Sequence, residues 1–164
     1  MNLFLTSDTH FSHENIIGYC HRPFASAAEM DEALVERWNA VVRPSDHVYH
    51  LGDVAMRRQH LAIVKRLNGK KRLVLGNHDI FEAKDYFAAG FQKVFGVRVI
   101  DNLLLTHIPA HVGSLGRFAA NVHGHTHEQG SPEGRYLSVC VELTNYTPIS
   151  LEDVKRLLRN RVAA

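Results

Sequence analysis

The sequence predicts an α/β fold in which two β-sheets form the layers of one sandwich, within a single domain over residues 1–164. In the first half of the chain, short apolar runs alternate with helical patterns, as in a parallel sheet covered by helices. After about residue 91, strand-like segments follow one another through turn-rich connections, which indicates a second sheet of a more antiparallel type. A chain of 164 residues can bury a core of its own.

The first half of the chain carries a βαβαβ pattern. A helix is predicted over 26–42, because Ser26 and Glu29 form a capping box and the apolar residues fall on one stripe. The other predicted elements of this half are strands over 2–7, 46–52 and 71–76 and a short helix over 59–67. Helices between successive strands favour parallel pairing of the three strands.

The second half of the chain is dominated by strand-like segments. They cover 91–100, 102–107, 120–125 and 135–143. A helix over 150–160 is predicted to close the chain, with Ser150 as its N-cap and Asp153 at the third helical position. The two halves are therefore expected to pack as two layers of one sandwich.

The composition is that of an ordinary globular protein, except for its histidines. Hydrophobic residues make up 45% and charged residues 22%, and the net charge is +2, which argues against a disordered or strongly nucleic-acid-binding chain. The isolated Cys20 and Cys140, an N-terminus unlike a secretory signal and the lack of a long apolar run predict a cytoplasmic location. The twelve histidines indicate a metal or acid–base site.

Polar side chains of the metal-ligand types follow five of the predicted strands. These groups are Asp8 with His10, Asp53, Asn77 with His78 and Asp79, His107, and His125 with His127. In open α/β sheets, ligands bind outside the carboxyl ends of the strands, so we expect these groups to converge. Residues two apart on extended backbone point the same way, which would let Asp8 and His10 face a common centre.

The ordered series DTH, GD, GNHD, H and GHTH resembles the calcineurin-like metallophosphoesterase superfamily over about three quarters of the chain. The segment SDTHFSHENII followed by RPF is similar to the small bacterial and phage members in particular. The resemblance implies an α/β/β/α sandwich with a dimetal site at the carboxyl ends of the strands. It also implies that Asp8, His10 and His127 hold one metal, that Asn77, His107 and His125 hold the other, and that Asp53 bridges them.

The resemblance further implies that His78 is the catalytic histidine outside the ligand set and that Asp79 orients its ring. Imidazole, carboxylate and amide-oxygen ligands suit borderline or hard divalent ions. We expect two Mn²⁺ ions, with Fe, Zn, Ni or Mg as alternatives. Two such ions about 3.5–4 Å apart can supply a bridging hydroxide that attacks phosphorus, and His78 would act as general acid or charge stabiliser.

The roles of several basic side chains stay open between substrate binding and structure. His13, Arg22 and Arg57, or Arg58 in place of Arg57, are candidate substrate contacts, since arginine matches phosphate bidentately. A role for His13 at a helix start is equally compatible with the sequence. His123 has no ligand role left and is expected to be structural, whereas the role of His50, three residues before Asp53, stays open.

The expected function is hydrolysis of a small phosphomono- or phosphodiester, such as a nucleotide or cyclic nucleotide. The segment GDVAMRR lacks the aspartate–arginine pair typical of the protein-phosphatase branch, which argues against a phosphoprotein substrate. A nuclease acting on nucleic-acid ends would predict a basic track, and a non-catalytic scaffold would predict lost ligands. No membrane or nucleic-acid partner is expected, and self-association stays open.

Overall fold

The computed structural model describes residues 1–162, which form two mixed sheets and four α-helices. The first sheet contains β1 (Leu3–Thr6), β2 (His47–His50), β3 (Lys70–Val74), β4 (Phe91–Phe95) and β9 (Ile149–Ser150). Its order is β4-β3-β2-β1-β9, with β1 to β4 parallel and β9 antiparallel to β1. The predicted parallel βαβαβ half is therefore confirmed.

The second sheet is more parallel than the sequence predicted. It contains β5 (Arg98–Ile100), β6 (Leu103–Leu105), β7 (Ala120–His123) and β8 (Tyr136–Ser138), in the order β5-β6-β7-β8. Only β5 runs antiparallel to its neighbour, whereas the β6–β7 and β7–β8 pairs of the described chain are parallel. The expectation of an antiparallel-type sheet was wrong, because the connections over 106–119 and 124–135 are long enough for parallel crossovers.

The strand-like segment 91–100 is divided between the two sheets. It forms β4 at the edge of the first sheet and β5 at the edge of the second, with Gly96 and Val97 between them. The single strand-like segment expected from the apolar residues is thus two strands that connect the layers.

Along the chain, most of the longer helices connect successive strands of the first sheet. They are α1 (Glu14–Tyr19), α2 (Ala27–Val41), a 3₁₀ helix over Arg58–Arg66, α3 (Ala83–Ala89) and α4 (Leu151–Val162). The sequence predicted α2, α4 and a helix in place of the 3₁₀ segment, but not the short α1 and α3. Within residues 1–162 no helix is long and apolar enough to cross a membrane.

Both predicted N-cap residues cap their helices, but the predicted Ser26–Glu29 capping box is only half formed. The Ser26 hydroxyl accepts a hydrogen bond from the Glu29 amide, and the Glu29 carboxylate accepts one from the amide of Ala25, one residue before the cap. At the start of α4, the Ser150 hydroxyl accepts from the Asp153 amide at 3.1 Å. These bonds satisfy amides that lack a partner inside the helix.

The core lies on both faces of the first sheet. Phe4, Val48 and Leu73 face the helices and pack with α2, while the alternate residues Leu5, Tyr49 and Val74 face the second sheet. Leu151, Val154 and Leu158 of α4 complete the core between the sheets. The outer face of the second sheet is covered by the segment 108–118, which packs against Leu104 and Tyr136 through Leu115 and Phe118.

Candidate metal centre

The polar groups that follow the strands converge at the carboxyl ends of both sheets. Three sets of side chains each place their ligand atoms within 4.8 Å of one another, and two of these sets consist of the groups that follow the strands. One set is Asp8, His10 and His127, and the other is Asp53, His107 and His125. Each set could hold a metal ion, and their membership agrees with the ligand division that the resemblance implies.

Asp8 has one oxygen held by the protein and one that faces the cluster. Its Oδ2 accepts hydrogen bonds from the His125 amide at 2.9 Å and from the Cys140 thiol at 3.2 Å. Its Oδ1 lies 3.9 Å from His10 Nε2 and 3.8 Å from His127 Nε2, and it has no hydrogen-bond partner in the described chain. The Oδ1 atom is thus buried and directed at two imidazoles.

Asp53 lies between the two sets of ligands. Its Oδ1 accepts from the His78 amide at 2.9 Å. Its Oδ2 lies 3.6 Å from His10 Nε2 in one set and 3.3 Å from His107 Nε2 in the other. A carboxylate in this position could bridge two ions.

Hydrogen bonds that Nδ1–H donates orient two of the imidazoles. His107 Nδ1 lies 2.8 Å from the Leu51 carbonyl, and His127 Nδ1 lies 2.9 Å from the Glu142 carboxylate. Their Nε2 atoms are thereby directed at the cluster, as is typical of histidines that ligate metals. Asn77 completes this part of the site, with its Oδ1 atom 2.9 Å from His107 Nε2.

The electrostatics of the cluster favour a bound cation. Burial raises the pKa of Asp8 and lowers that of His10 well below its usual range. Burial also disfavours ionisation of Asp53, but the hydrogen bond and charge of His107 outweigh it and hold the pKa at about 2. For His107, burial lowers the pKa, but Asp53 and Asp8 raise it above its usual value. The centre therefore contains acceptor oxygens that require positive charge.

Five non-glycine residues of the site have left-handed backbone. The φ angles are 58° at Asp8, 48° at His10, 59° at Asp53, 71° at His125 and 46° at His127. The expected alternation on extended backbone is therefore wrong, since these residues lie on sharp turns after the strands. Each such conformation costs on the order of 1–3 kcal/mol and is typical of functional sites.

Two glycines allow these turns to approach the ligands closely. A Cβ atom on Gly124 would lie 2.5 Å from Asp8 Oδ2 and 2.6 Å from Ser7 Oγ. A Cβ atom on Gly76 would overlap Asp53 Oδ1. Any side chain at these positions would displace a carboxylate of the cluster.

His78 lies at the mouth of the site, but Asp79 does not contact its ring. The His78 side chain is 43% exposed, and its Nε2 atom lies 4.0 Å from Asp53 Oδ2. The Asp79 carboxylate accepts from the amides of Asp53, Val54 and Gly76, and no hydrogen bond joins it to the His78 ring among the described residues. The expectation that Asp79 orients the His78 ring is corrected: Asp79 connects the two loops that carry Asp53 and His78.

Arg22 is buried beneath the site and cannot reach a substrate. Its guanidinium donates to the carbonyls of Thr9 and Asp8, at 3.0 and 2.7 Å, and to the Glu142 carboxylate. The side chain is fully buried, so the expectation of a substrate contact was wrong. Glu142, which joins Arg22 to His127, was missed, because it carries no motif and lies 15 residues beyond His127.

The two remaining buried histidines are structural. His50 Nδ1 accepts from the Gly52 amide, so its Nε2–H donates to the Thr9 hydroxyl, which in turn donates to the Val54 carbonyl. His123 lies with Nδ1 2.8 Å from the Gly124 carbonyl and Nε2 3.2 Å from the Ser131 hydroxyl. The structural interpretation of His123 agrees with these contacts, and the open question about His50 is answered in the same way.

The fold and the site together define an α/β protein of two sheets with a candidate metal centre at the carboxyl ends of their strands. The sequence model of the calcineurin-like phosphoesterase superfamily domain matches residues 1–141. The chain therefore belongs to the calcineurin-like phosphoesterase superfamily, most of whose members are hydrolases.

Relatives of this chain include an archaeal protein and phage proteins. It is 34% identical to the uncharacterized protein MJ1445 of Methanocaldococcus jannaschii, over 95% of this chain and 90% of that protein. It is also 34% identical to the gene 66 protein of Mycobacterium phage L5, over 48% of this chain and 40% of the phage protein. The expected likeness to small bacterial and phage members is confirmed.

Two solved structures share the fold. The protein of unknown function AQ665 from Aquifex aeolicus is 27% identical, with a TM-score of 0.75 over 95% of this chain and 98% of that one. The Pseudomonas putida nuclease MPE is 23% identical, with a TM-score of 0.53 over 76% of this chain and 61% of that one. The second likeness concerns the fold alone.

Proposed function

We propose that this chain is a dinuclear metal-dependent phosphoesterase that hydrolyses a small phosphomonoester or phosphodiester of the nucleotide or cyclic-nucleotide class. The observation that carries the proposal is the set of buried atoms without hydrogen-bond partners in the described chain. Asp8 Oδ1 and His10 Nε2 belong to this set and lie at the cluster, 3.9 Å apart. Unpaired buried polar atoms cost free energy, and metal coordination would satisfy them.

The residues present fit two divalent ions. Asp8, His10 and His127 would hold one ion, Asn77, His107 and His125 would hold the other, and Asp53 would contact both. This oxygen and imidazole donor set supports Mn²⁺ as the first choice, with Fe, Zn, Ni and Mg as alternatives. When bound, the ions would supply Lewis acidity and a water molecule that loses its proton near neutral pH.

His78 is proposed as the general acid. Its ring lies at the open side of the cluster, 5.7 Å from the His10 ring, and the hydrogen bond from its amide to Asp53 fixes its backbone. From this position a protonated ring could donate its proton to the alkoxide oxygen of the leaving group. A positioned general acid typically contributes about 10²- to 10⁴-fold to the rate.

The proposal is tested by hydrolysis of bis(p-nitrophenyl) phosphate and p-nitrophenyl phosphate with Mn²⁺. We expect turnover of at least one ester and about two bound ions per chain by metal analysis. The His78→Ala variant should lose about 100-fold or more in kcat while still binding metal. The control His47→Ala changes a histidine at the opposite end of β2 and should retain activity.

Each outcome has a distinct meaning. If the metal-loaded protein turns over neither these esters nor a panel of nucleotides and 2′,3′- and 3′,5′-cyclic nucleotides, the proposed function is wrong. If His78→Ala is as fast as the wild type, the role of His78 alone is wrong.

A further inference from the structure

A pocket lies beside the mouth of the metal centre. It has a volume of about 300 Å³, and its walls include Ser12, His13, Met56, Arg57 and His60. These residues come from the turn after β1 and from the segment after Asp53, so the same loops carry metal ligands and pocket walls.

His13 connects this pocket to the metal centre. Its ring lies 5.8 Å from the ring of His10, a member of the first ligand set, and it also lines the pocket. A group bound in the pocket would therefore lie next to an ester bound at the ligands. The pocket is placed to recognise a part of the substrate that is not hydrolysed.

Arg57 gives the pocket a positive charge. Its side chain is exposed and forms no ion pair or side-chain hydrogen bond among the described residues. The adjacent Arg58 has a different role, since its Nε atom lies 3.3 Å from the carboxylate of Asp85. A guanidinium without a partner beside a phosphoester site is suited to a phosphate group.

The histidines of the pocket also lack partners. The Nδ1 atoms of His13 and His60 are buried and have no hydrogen-bond partner in residues 1–162. Glu14 also lines the pocket, and its carboxylate accepts from the Ala27 amide at 2.9 Å, which directs the Oε2 atom toward the start of α2 while its negative charge remains beside Arg57. The pocket thus contains one guanidinium without an ion-pair partner among the described residues, two imidazoles and one carboxylate that is hydrogen-bonded to the backbone, and Arg57 is the group that can meet an anion.

We propose that this pocket binds a second phosphate group of the substrate, adjacent to the phosphate that is hydrolysed. The substrate would then be a nucleoside phosphodiester that carries an additional phosphate, with Arg57 as the main contact and His13 and His60 beside it. Met56 offers apolar surface next to the same group. The inference rests on the proposed phosphoesterase function and narrows its substrate class.

The test compares esters that differ only in the second phosphate. Thymidine 5′-(4-nitrophenyl phosphate) is measured with and without a 3′-phosphate, and the 3′-(4-nitrophenyl phosphate) with and without a 5′-phosphate covers the opposite polarity. For at least one pair, the wild type should show a kcat/KM about tenfold higher with the second phosphate, the usual effect of a hydrogen bond to a charged group.

Arg57→Ala should reduce this ratio to near one, whereas the matched control Arg58→Ala should retain it. As a second readout, thymidine 3′,5′-bisphosphate should inhibit the wild type about tenfold better than thymidine 5′-monophosphate, but not the Arg57→Ala variant. Loss of the ratio and of the inhibitor preference in Arg57→Ala alone would support the inference.

Three results would overturn the inference, and only the third also overturns the proposed function. If the wild type hydrolyses bis(p-nitrophenyl) phosphate but shows no preference for the second phosphate in either pair, the pocket has another role and the proposed function stands. The same holds if Arg57→Ala keeps the wild-type ratio. If the metal-loaded wild type hydrolyses none of the esters, the proposed function fails and the inference fails with it.

Discussion

Replacing Glu142 with glutamine is expected to weaken both the metal centre and the fold around it. The Glu142 carboxylate accepts from two nitrogens of Arg22, at 2.6 and 2.9 Å, and contacts His127 Nδ1 at 2.9 Å. Glutamine keeps one carbonyl acceptor and nearly the same volume, so the change removes the charge and little else.

The expected magnitude follows from the burial of the pair. The Arg22 side chain is fully buried and that of Glu142 is 4% exposed, so the guanidinium would lose its counter-charge away from water. Removing one partner of a buried ion pair costs about 3–5 kcal/mol, and the remaining carbonyl of glutamine places the loss near the lower end. Because Glu142 also orients His127, metal affinity should fall about 10- to 100-fold.

Two measurements on the purified chain separate these effects. Urea unfolding in the presence of EDTA reports the free energy of unfolding without metal, and calorimetric titration with Mn²⁺ reports the dissociation constant. Glu128→Gln is the matched control. The Glu128 carboxylate is half-exposed, and its ion pair is a long one of 4.0 Å with the exposed ring of His21. The control should change neither the free energy of unfolding nor the free energy of Mn²⁺ binding by more than about 0.5 kcal/mol.

A double-mutant cycle identifies the interaction responsible. Arg22→Met in the Glu142→Gln background removes the unpaired buried charge, so the double variant should be more stable than the sum of the two single changes predicts, by about 1–3 kcal/mol. An additive cycle, or a Glu142→Gln variant that unfolds and binds Mn²⁺ like the wild type, would refute the reasoning.

Two further changes test other parts of the structure. Gly124→Ala places a Cβ atom 2.5 Å from Asp8 Oδ2, so it should lower Mn²⁺ affinity more than about tenfold and the free energy of unfolding by about 1–3 kcal/mol. In the control Gly116→Ala, the new Cβ atom has no other atom within 4 Å, and neither quantity should change. Equal effects of the two substitutions would contradict the close approach of Gly124 to Asp8. Burial lowers the pKa of His50 to about 3, so the unfolded chain binds one more proton below pH 6.5 and stability falls as the pH decreases from 6.5 toward 3. His50→Phe should therefore make the pH dependence of unfolding in EDTA shallower by about 1.4 kcal/mol per pH unit in this range, and an unchanged slope would show that His50 titrates normally.

The positions of the candidate ligands, which the structure brings together, could be predicted from the sequence, because they interrupt apolar runs at the ends of strands. A run that is buried on both faces cannot contain Asp8 or Asp53, so the polar residue marks the point where the chain leaves the sheet. The backbone shape after these points could not be predicted. Asp8, His10 and Asp53 adopt a left-handed conformation that non-glycine residues rarely take, and no local sequence pattern predicts it.

The roles of Arg22 and Asp79 could not be predicted from the sequence. Both residues lie in motifs near the ligands, and both have the chemistry expected of a phosphate contact or of a partner for a histidine. Which way each side chain points depends on tertiary packing, and both turn toward backbone groups beneath the site. Similarly, the parallel pairs of the second sheet are joined by crossovers without long helices, so the usual helical signal of a parallel sheet is missing.

Arg22 and Asp79 hold the loops that carry the candidate ligands in their left-handed backbone conformations. Arg22 binds the carbonyls of Thr9 and Asp8 in the first loop, and Asp79 accepts three amide hydrogens from the loops that follow β2 and β3. Left-handed conformations that cost on the order of 1–3 kcal/mol each persist only when the surrounding contacts fix them. Because these charged groups bind the backbone, they are not free for a substrate, and this agrees with assigning the proposed substrate contacts to the exposed groups at the mouth, His78 and Arg57.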